Sequence, residues 1–124
     1  MRFIKPNTHA IIDYAMSIIL ILSPWLLNFS RNGAETWVPV IIGIATLGIS
    51  SITKYKYSLK KIIPMRDHLM IDMVSGIVLA ISPWIFGFSN YVFLPHLIFG
   101  IMEIGASLTT ETTYRPGRPK TQNV

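Results

Sequence analysis

Apolar residues run along this chain in long uncharged stretches with short polar breaks between them. No charged side chain occurs from residue 14 to 30, from 36 to 53, or from 73 to 102, and the last run is broken in its middle by Pro83, Gly87, Ser89 and Asn90. A helix needs about 20 mostly apolar residues to cross about 30 Å of hydrocarbon. The three runs therefore predict four spanning helices, at about 10–29, 36–53, 69–88 and 92–109. The second and fourth are short, which leaves their ends to interfacial residues such as Trp37 and Tyr91.

The flanks predict an orientation. Arg2 and Lys5 precede the first helix, Lys54, Lys56, Lys60, Lys61 and Arg66 lie between the second and third, and Arg115, Arg118 and Lys120 follow the fourth. Ten of the eleven basic residues thus fall on one side, and by the positive-inside rule both termini are cytoplasmic. The net charge of +5 then reports topology, with contact to anionic lipid heads, and nucleic acid is not expected as a partner. A cleavable leader is not expected either, because no small-residue cleavage pattern follows the first apolar run.

Composition agrees. Only 14% of the 124 residues are charged and 51% are hydrophobic, against roughly 25% charged in a soluble domain. The length leaves no room for separate cofactor and substrate domains. Without cysteine there is no disulfide, thiolate nucleophile or Cys-ligated metal.

An internal repeat organises the whole chain. Residues 9–30 laid over 68–89 at an offset of 59 give ten identities in 22 positions, among them His9 with His68, Asp13 with Asp72, Leu20 with Leu79, and Ser23-Pro24-Trp25 with Ser82-Pro83-Trp84. After a contraction by two residues, Gly43, Gly48 and Ser50 match Gly100, Gly105 and Ser107. Each copy has two crossings, so the copies point the same way, related by a pseudo-two-fold along the membrane normal. The expected fold is all-α: a single-domain, integral membrane four-helix bundle of two parallel tandem repeats. Repeat one covers about 6–53, a basic loop 54–67, repeat two about 68–110, and a mobile tail 111–124.

The tandem H-x3-D followed by S-P-W resembles the SPW-repeat family of small bacterial membrane proteins. The likeness spans nearly the whole chain. It implies an integral protein of the bacterial inner membrane carrying this repeat, and it brings no activity with it.

The repeated residues have physical readings of their own. His and Asp at i and i+4 share a helix face, and Ser82 returns to that face, so His68, Asp72, Ser75, Leu79 and Ser82 form one stripe, with His9, Asp13, Met16, Leu20 and Ser23 as its counterpart. Small and polar residues of this kind collect where membrane helices touch. In Ser-Pro-Trp, the proline removes a backbone donor and kinks or ends the helix, the serine hydroxyl bonds a freed backbone group, and Trp25 and Trp84 anchor at an interface.

A carboxylate inside a spanning helix is costly and has a partner. Glu103 shares a stripe with Gly100 and Ser107, and its counterpart in repeat one is Thr46. If the stripes face the pseudo-axis, His9, Asp13, His68, Asp72 and Glu103 form one polar cluster near the cytoplasmic side. Its leading reading is structural, with each Asp near a helix start and each His bonding the neighbouring repeat. A proton or cation path is the alternative. Two His with two or three carboxylates would also suit iron, manganese or zinc, but Glu-x-x-His and H-E-x-x-H pairs are missing, so neither a metal nor a cofactor is expected. His96 follows Pro95 in a first helical turn and reads as an interfacial histidine outside the site.

No G-x-S-x-G, phosphate-binding glycine loop or thiol nucleophile is present. The expected function is a noncatalytic membrane bundle, structural or accessory, with the bilayer as its partner. Gly43, Gly48, Gly100 and Gly105 would admit a second copy or another membrane subunit. The alternative is a proton-coupled or cation-conducting transporter using the Asp/Glu/His cluster. The sequence identifies no small-molecule ligand.

Overall fold

The computed structural model describes residues 1–113. Among the described residues there are four helices: α1 (Pro6–Leu26), α2 (Ala34–Ser51), α3 (Met65–Ile85) and α4 (Leu94–Thr109). Among the described residues there is no strand, only two isolated bridges. α1, α2 and α3 are each long and apolar enough to cross a membrane, and α4 is a shorter apolar helix.

α1 and α3 start and stop about three to four residues earlier than the hydropathy pattern places them, and local chemistry explains both shifts. Pro6 opens α1, where its preset φ fits and its missing N–H would have had no helical partner. Pro64 is the N-cap of α3, so the helix begins at Met65, inside the stretch read as basic loop.

At the other end the Ser-Pro-Trp element works as a terminator. Pro24 and Pro83 have no N–H for the carbonyls of Leu20 and Leu79, and the hydroxyls of Ser23 and Ser82 donate to those carbonyls instead, at 2.9 and 2.8 Å. Asn28 and Gly87, equivalent in the repeat, then turn left-handed at φ 57° and 74°. The next amides, of Phe29 and Phe88, close back on the Pro24 and Pro83 carbonyls at 2.9 and 2.8 Å, the six-to-one bond of a Schellman ending. The hydropathy window overran this point because Leu26, Leu27, Ile85 and Phe86 continue the apolar run into the terminating turn.

The packing is inside out relative to a soluble protein. Large apolar side chains such as Ile18, Leu22, Ile41, Ile44, Ile77 and Ile101 are exposed. His9, His68, Ser17, Ser50, Ser82, Thr53 and Thr110 are fully buried. A surface of this kind is matched to lipid. Inside it, Met16, Leu20 and Leu79 form an apolar centre flanked by Val38, Ile42 and Phe99.

Two of the repeated glycines are used inside the bundle. A Cβ on Gly43 would lie 2.9 Å from the Ser17 carbonyl oxygen, and one on Gly100 would lie 2.6 Å from both the Gly76 carbonyl oxygen and the Ala80 amide nitrogen. Backbone therefore meets backbone between α1 and α2 and between α3 and α4. Gly48 and Gly105 face open space, so of the four glycines expected to admit a further helix, only these two remain available.

The starts of α1 and α3 meet the ends of α4 and α2. Ile4 bridges to Thr110 and Ile63 to Thr53, and both members of this pair of bridges are repeat equivalents, Ile4 with Ile63 and Thr53 with Thr110. The 54–64 segment is packed rather than loose: Tyr55 is fully buried against Ala10, Met65 and Leu69, and the Tyr14 hydroxyl donates to the Tyr57 carbonyl at 2.8 Å. The expected tail begins ordered, since the Glu111 amide donates to the Ile4 carbonyl at 2.8 Å. Residues 114–124 of that tail lie outside the described residues.

Candidate functional site

Four of the residues singled out by the repeat meet in one buried cluster. His9 Nε2 lies 2.8 Å from Asp72 Oδ2 and 3.1 Å from Asp13 Oδ2. His68 Nε2 lies 2.6 Å from Asp13 Oδ2 and 3.0 Å from Asp72 Oδ2. The shorter contact of each histidine crosses from one repeat to the other, and the longer is the i,i+4 contact along its own helix. Both histidines are fully buried, and Asp13 and Asp72 are 6% and 4% exposed. The two imidazole rings stand edge to face, 5.5 Å between centroids. Ser50 adds a weak contact, its hydroxyl donating to Asp13 Oδ2 at 3.3 Å.

The outward nitrogens of the rings are held by two threonines. The Thr110 hydroxyl donates to the Ala106 carbonyl at 2.6 Å, and its oxygen lies 2.7 Å from His9 Nδ1. The Thr53 hydroxyl likewise donates to the Ile49 carbonyl at 2.7 Å and lies 2.6 Å from His68 Nδ1. A hydroxyl has one hydrogen. With that hydrogen spent on the carbonyl, the threonine oxygen accepts, so the hydrogen of each Nδ1 is fixed and points away from the cluster.

Sequence reasoning missed Thr53 and Thr110. Continuing the second register of the repeat by three residues past Ser50 and Ser107 pairs them, and that identity was the available signal. Each threonine lies just beyond the last helical residue of its repeat, at the very edge of the hydropathy pattern.

Glu103 is buried on α4, beside Gly76 of α3. Neither of its carboxylate oxygens has a hydrogen-bond partner among the described residues, and it is not one of the four groups whose ligand atoms lie within 4.8 Å of one another. The stripes on α1 and α3 are buried as far as His9, Asp13, Met16, Leu20 and Ser23 and their counterparts His68, Asp72, Leu79 and Ser82 are concerned, while Ser75 is partly exposed. Trp25 and Trp84 are each 53% exposed on the outer surface of the bundle.

His96 is more enclosed than its place in a first helical turn implies: it is 1% exposed, and its Nε2–H donates to the Glu35 carbonyl at 2.8 Å. Its ring packs against Phe29 at 5.1 Å and Phe88 at 4.8 Å between centroids. These two phenylalanines are repeat equivalents, so His96 fills the space where the two terminating turns face each other, a position that helix register on α4 alone could not show. In the connecting segment, burial pushes the Tyr55 phenol up from its ordinary pKa and keeps it neutral beside His68, with 5.9 Å between the rings.

Polar groups inside, an apolar surface outside and three helices of spanning length define a small helical membrane protein. A family model described as the SPW repeat domain matches residues 7–110, and the chain belongs to that family. No curated protein and no solved structure matches the chain.

Proposed function

We propose that this protein is a noncatalytic structural or accessory bundle of the bacterial inner membrane, with parallel repeats, cytoplasmic termini, and the His–Asp cluster joining the two repeats at the cytoplasmic end. The reciprocal contacts, His9 to Asp72 and His68 to Asp13, carry this reading, because each one ties α1 to α3. The repeat-equivalent bridges at Ile4 and Ile63 support a two-fold relation between the copies. Four of the buried serines, Ser17, Ser23, Ser82 and Ser107, each donate to a carbonyl of their own helix, as packing residues do. The open flanks at Gly48 and Gly105 are where a second copy or another membrane subunit would pack closely.

A second reading, a proton or cation path, is favoured by Glu103, whose buried carboxylate has no partner among the described residues. Liposome flux separates the two. The bundle reading expects no proton or cation flux above that of empty vesicles, while flux abolished by Asp72→Asn and kept by Lys60→Gln establishes transport. Self-association predicts cross-linked dimers in native membranes that weaken in Gly48→Leu, and a monomer under both native-membrane and mild-detergent conditions ends it.

Orientation is tested on the cysteine-free chain. Lys60→Cys should react with a membrane-impermeant maleimide only after the cell is opened, and Asn90→Cys should react from outside. The reverse pattern would invert the topology.

A further inference from the structure

The cluster contains more close contacts than hydrogens. Four N···O separations of 2.6 to 3.1 Å join two imidazole nitrogens to two carboxylate oxygens. Thr53 and Thr110 fix one hydrogen of each ring on Nδ1, facing away. Each Nε2 therefore brings at most one hydrogen, and that hydrogen can align with one oxygen only. Two hydrogens serve four contacts only as bifurcated, weaker bonds. In addition, all four contacts go to Oδ2 of each aspartate, and none uses Oδ1. Paired hydrogen bonding gives no reason for both histidines to share one oxygen of each carboxylate. Convergence of four donor atoms, two nitrogens and two oxygens alternating in a ring, is what a single cation between them requires.

We infer that His9, Asp13, His68 and Asp72 form a binding site for one divalent first-row transition-metal ion of the zinc or ferrous class, ligated through both Nε2 and both Oδ2 atoms. Ligand atoms about 2.0 to 2.2 Å from one tetrahedral ion lie roughly 3.3 to 3.6 Å from each other, so the ring has to widen by about half an ångström on average. Thr53 and Thr110 supply the outer support that metal-binding histidines almost always have, an acceptor that holds the remote N–H and orients the ring. Charge also closes: two carboxylates against one divalent ion, with both histidines neutral, leave no net charge in the apolar interior. Two nitrogen and two oxygen donors suit zinc, iron, cobalt or manganese rather than a soft monovalent ion. The ligand pairs are i,i+4 on α1 and on α3, so an ion there would bind the two repeats to each other.

The test uses the full chain in mild detergent, its purification tag removed, stripped with a chelator and titrated with Co2+. Visible d–d absorption should saturate at one ion per chain and disappear on adding Zn2+. Thr53→Val and Thr110→Val, which leave all four ligands in place, should each weaken Co2+ affinity about 10- to 100-fold. Asp72→Asn should abolish the absorption, and Asp67→Asn, at an exposed carboxylate next to His68, should leave it unchanged. Should Asp72→Asn fail to fold, as read by helical circular dichroism and gel filtration, the two threonine variants decide. Absence of the absorption in the unsubstituted protein overturns the site, and so does binding of equal strength in the threonine variants and the unsubstituted chain.

Discussion

Replacing Asp72 with alanine should destabilise the folded bundle by about 3–5 kcal/mol, the usual effect of removing one partner from a buried charged pair. The carboxylate is 4% exposed and lies 2.8 Å from His9 and 3.0 Å from His68. Its loss leaves two buried ring nitrogens to share the single carboxylate oxygen of Asp13. The measurement is unfolding by SDS titration from mixed micelles, with helix content as the readout. Asp13→Ala should behave alike, because the repeat makes the two positions equivalent. A double-mutant cycle adds a sharper test. His9→Ala and Asp72→Ala should be strongly coupled, since the contact joins the two repeats, and the coupling of His9 with Asp13 on the same helix should be smaller, at 3.1 Å against 2.8 Å. Absence of coupling between His9 and Asp72 would show that this contact does not hold α1 to α3.

Gly100→Leu should separate α3 from α4. Even the first carbon of a side chain would stand 2.6 Å from the Ala80 amide nitrogen and the Gly76 carbonyl oxygen. Both are backbone atoms of another helix and cannot rotate aside, so the helices must move apart and lose the contacts between them. Overpacking typically costs about 1–3 kcal/mol, with larger values where nothing can give way, and this position belongs at the upper end. Gly105→Ala is the control. Gly105 has nothing near it, and alanine in an exposed helical position should be neutral or stabilising by up to about 1 kcal/mol. Thermal melts of both variants in the same detergent check the pair. A Gly100 variant as stable as the parent would mean that the two helices are not in backbone contact.

The hydropathy pattern was enough to find four helices, since a run of apolar residues long enough for lipid is a property of the chain and not of its partners. The helix ends were less legible. Ser23-Pro24-Trp25 reads as a kink or a helix end, and what completes the ending of α1 is the left-handed turn at Asn28 with the amide of Phe29 closing on Pro24, a hydrogen bond that apolar counting does not register. The enclosure of His96 was illegible for a different reason: the space around it is set by Phe29 and Phe88, which come from two other parts of the chain.

The candidate site divides in the same way. Repetition by itself singled out His9, Asp13, His68 and Asp72, and helix periodicity placed each His on the face of its own Asp. Which histidine serves which aspartate, and that Thr53 and Thr110 hold the far side of the rings, was decided only by the tertiary structure. The shortest contacts run between α1 and α3, residues separated by 55 and 63 positions in the chain. Local spacing determines which side chains share a face of one helix. The packing of one repeat on the other determines which faces meet, and four atoms from two helices converge only after that packing is complete.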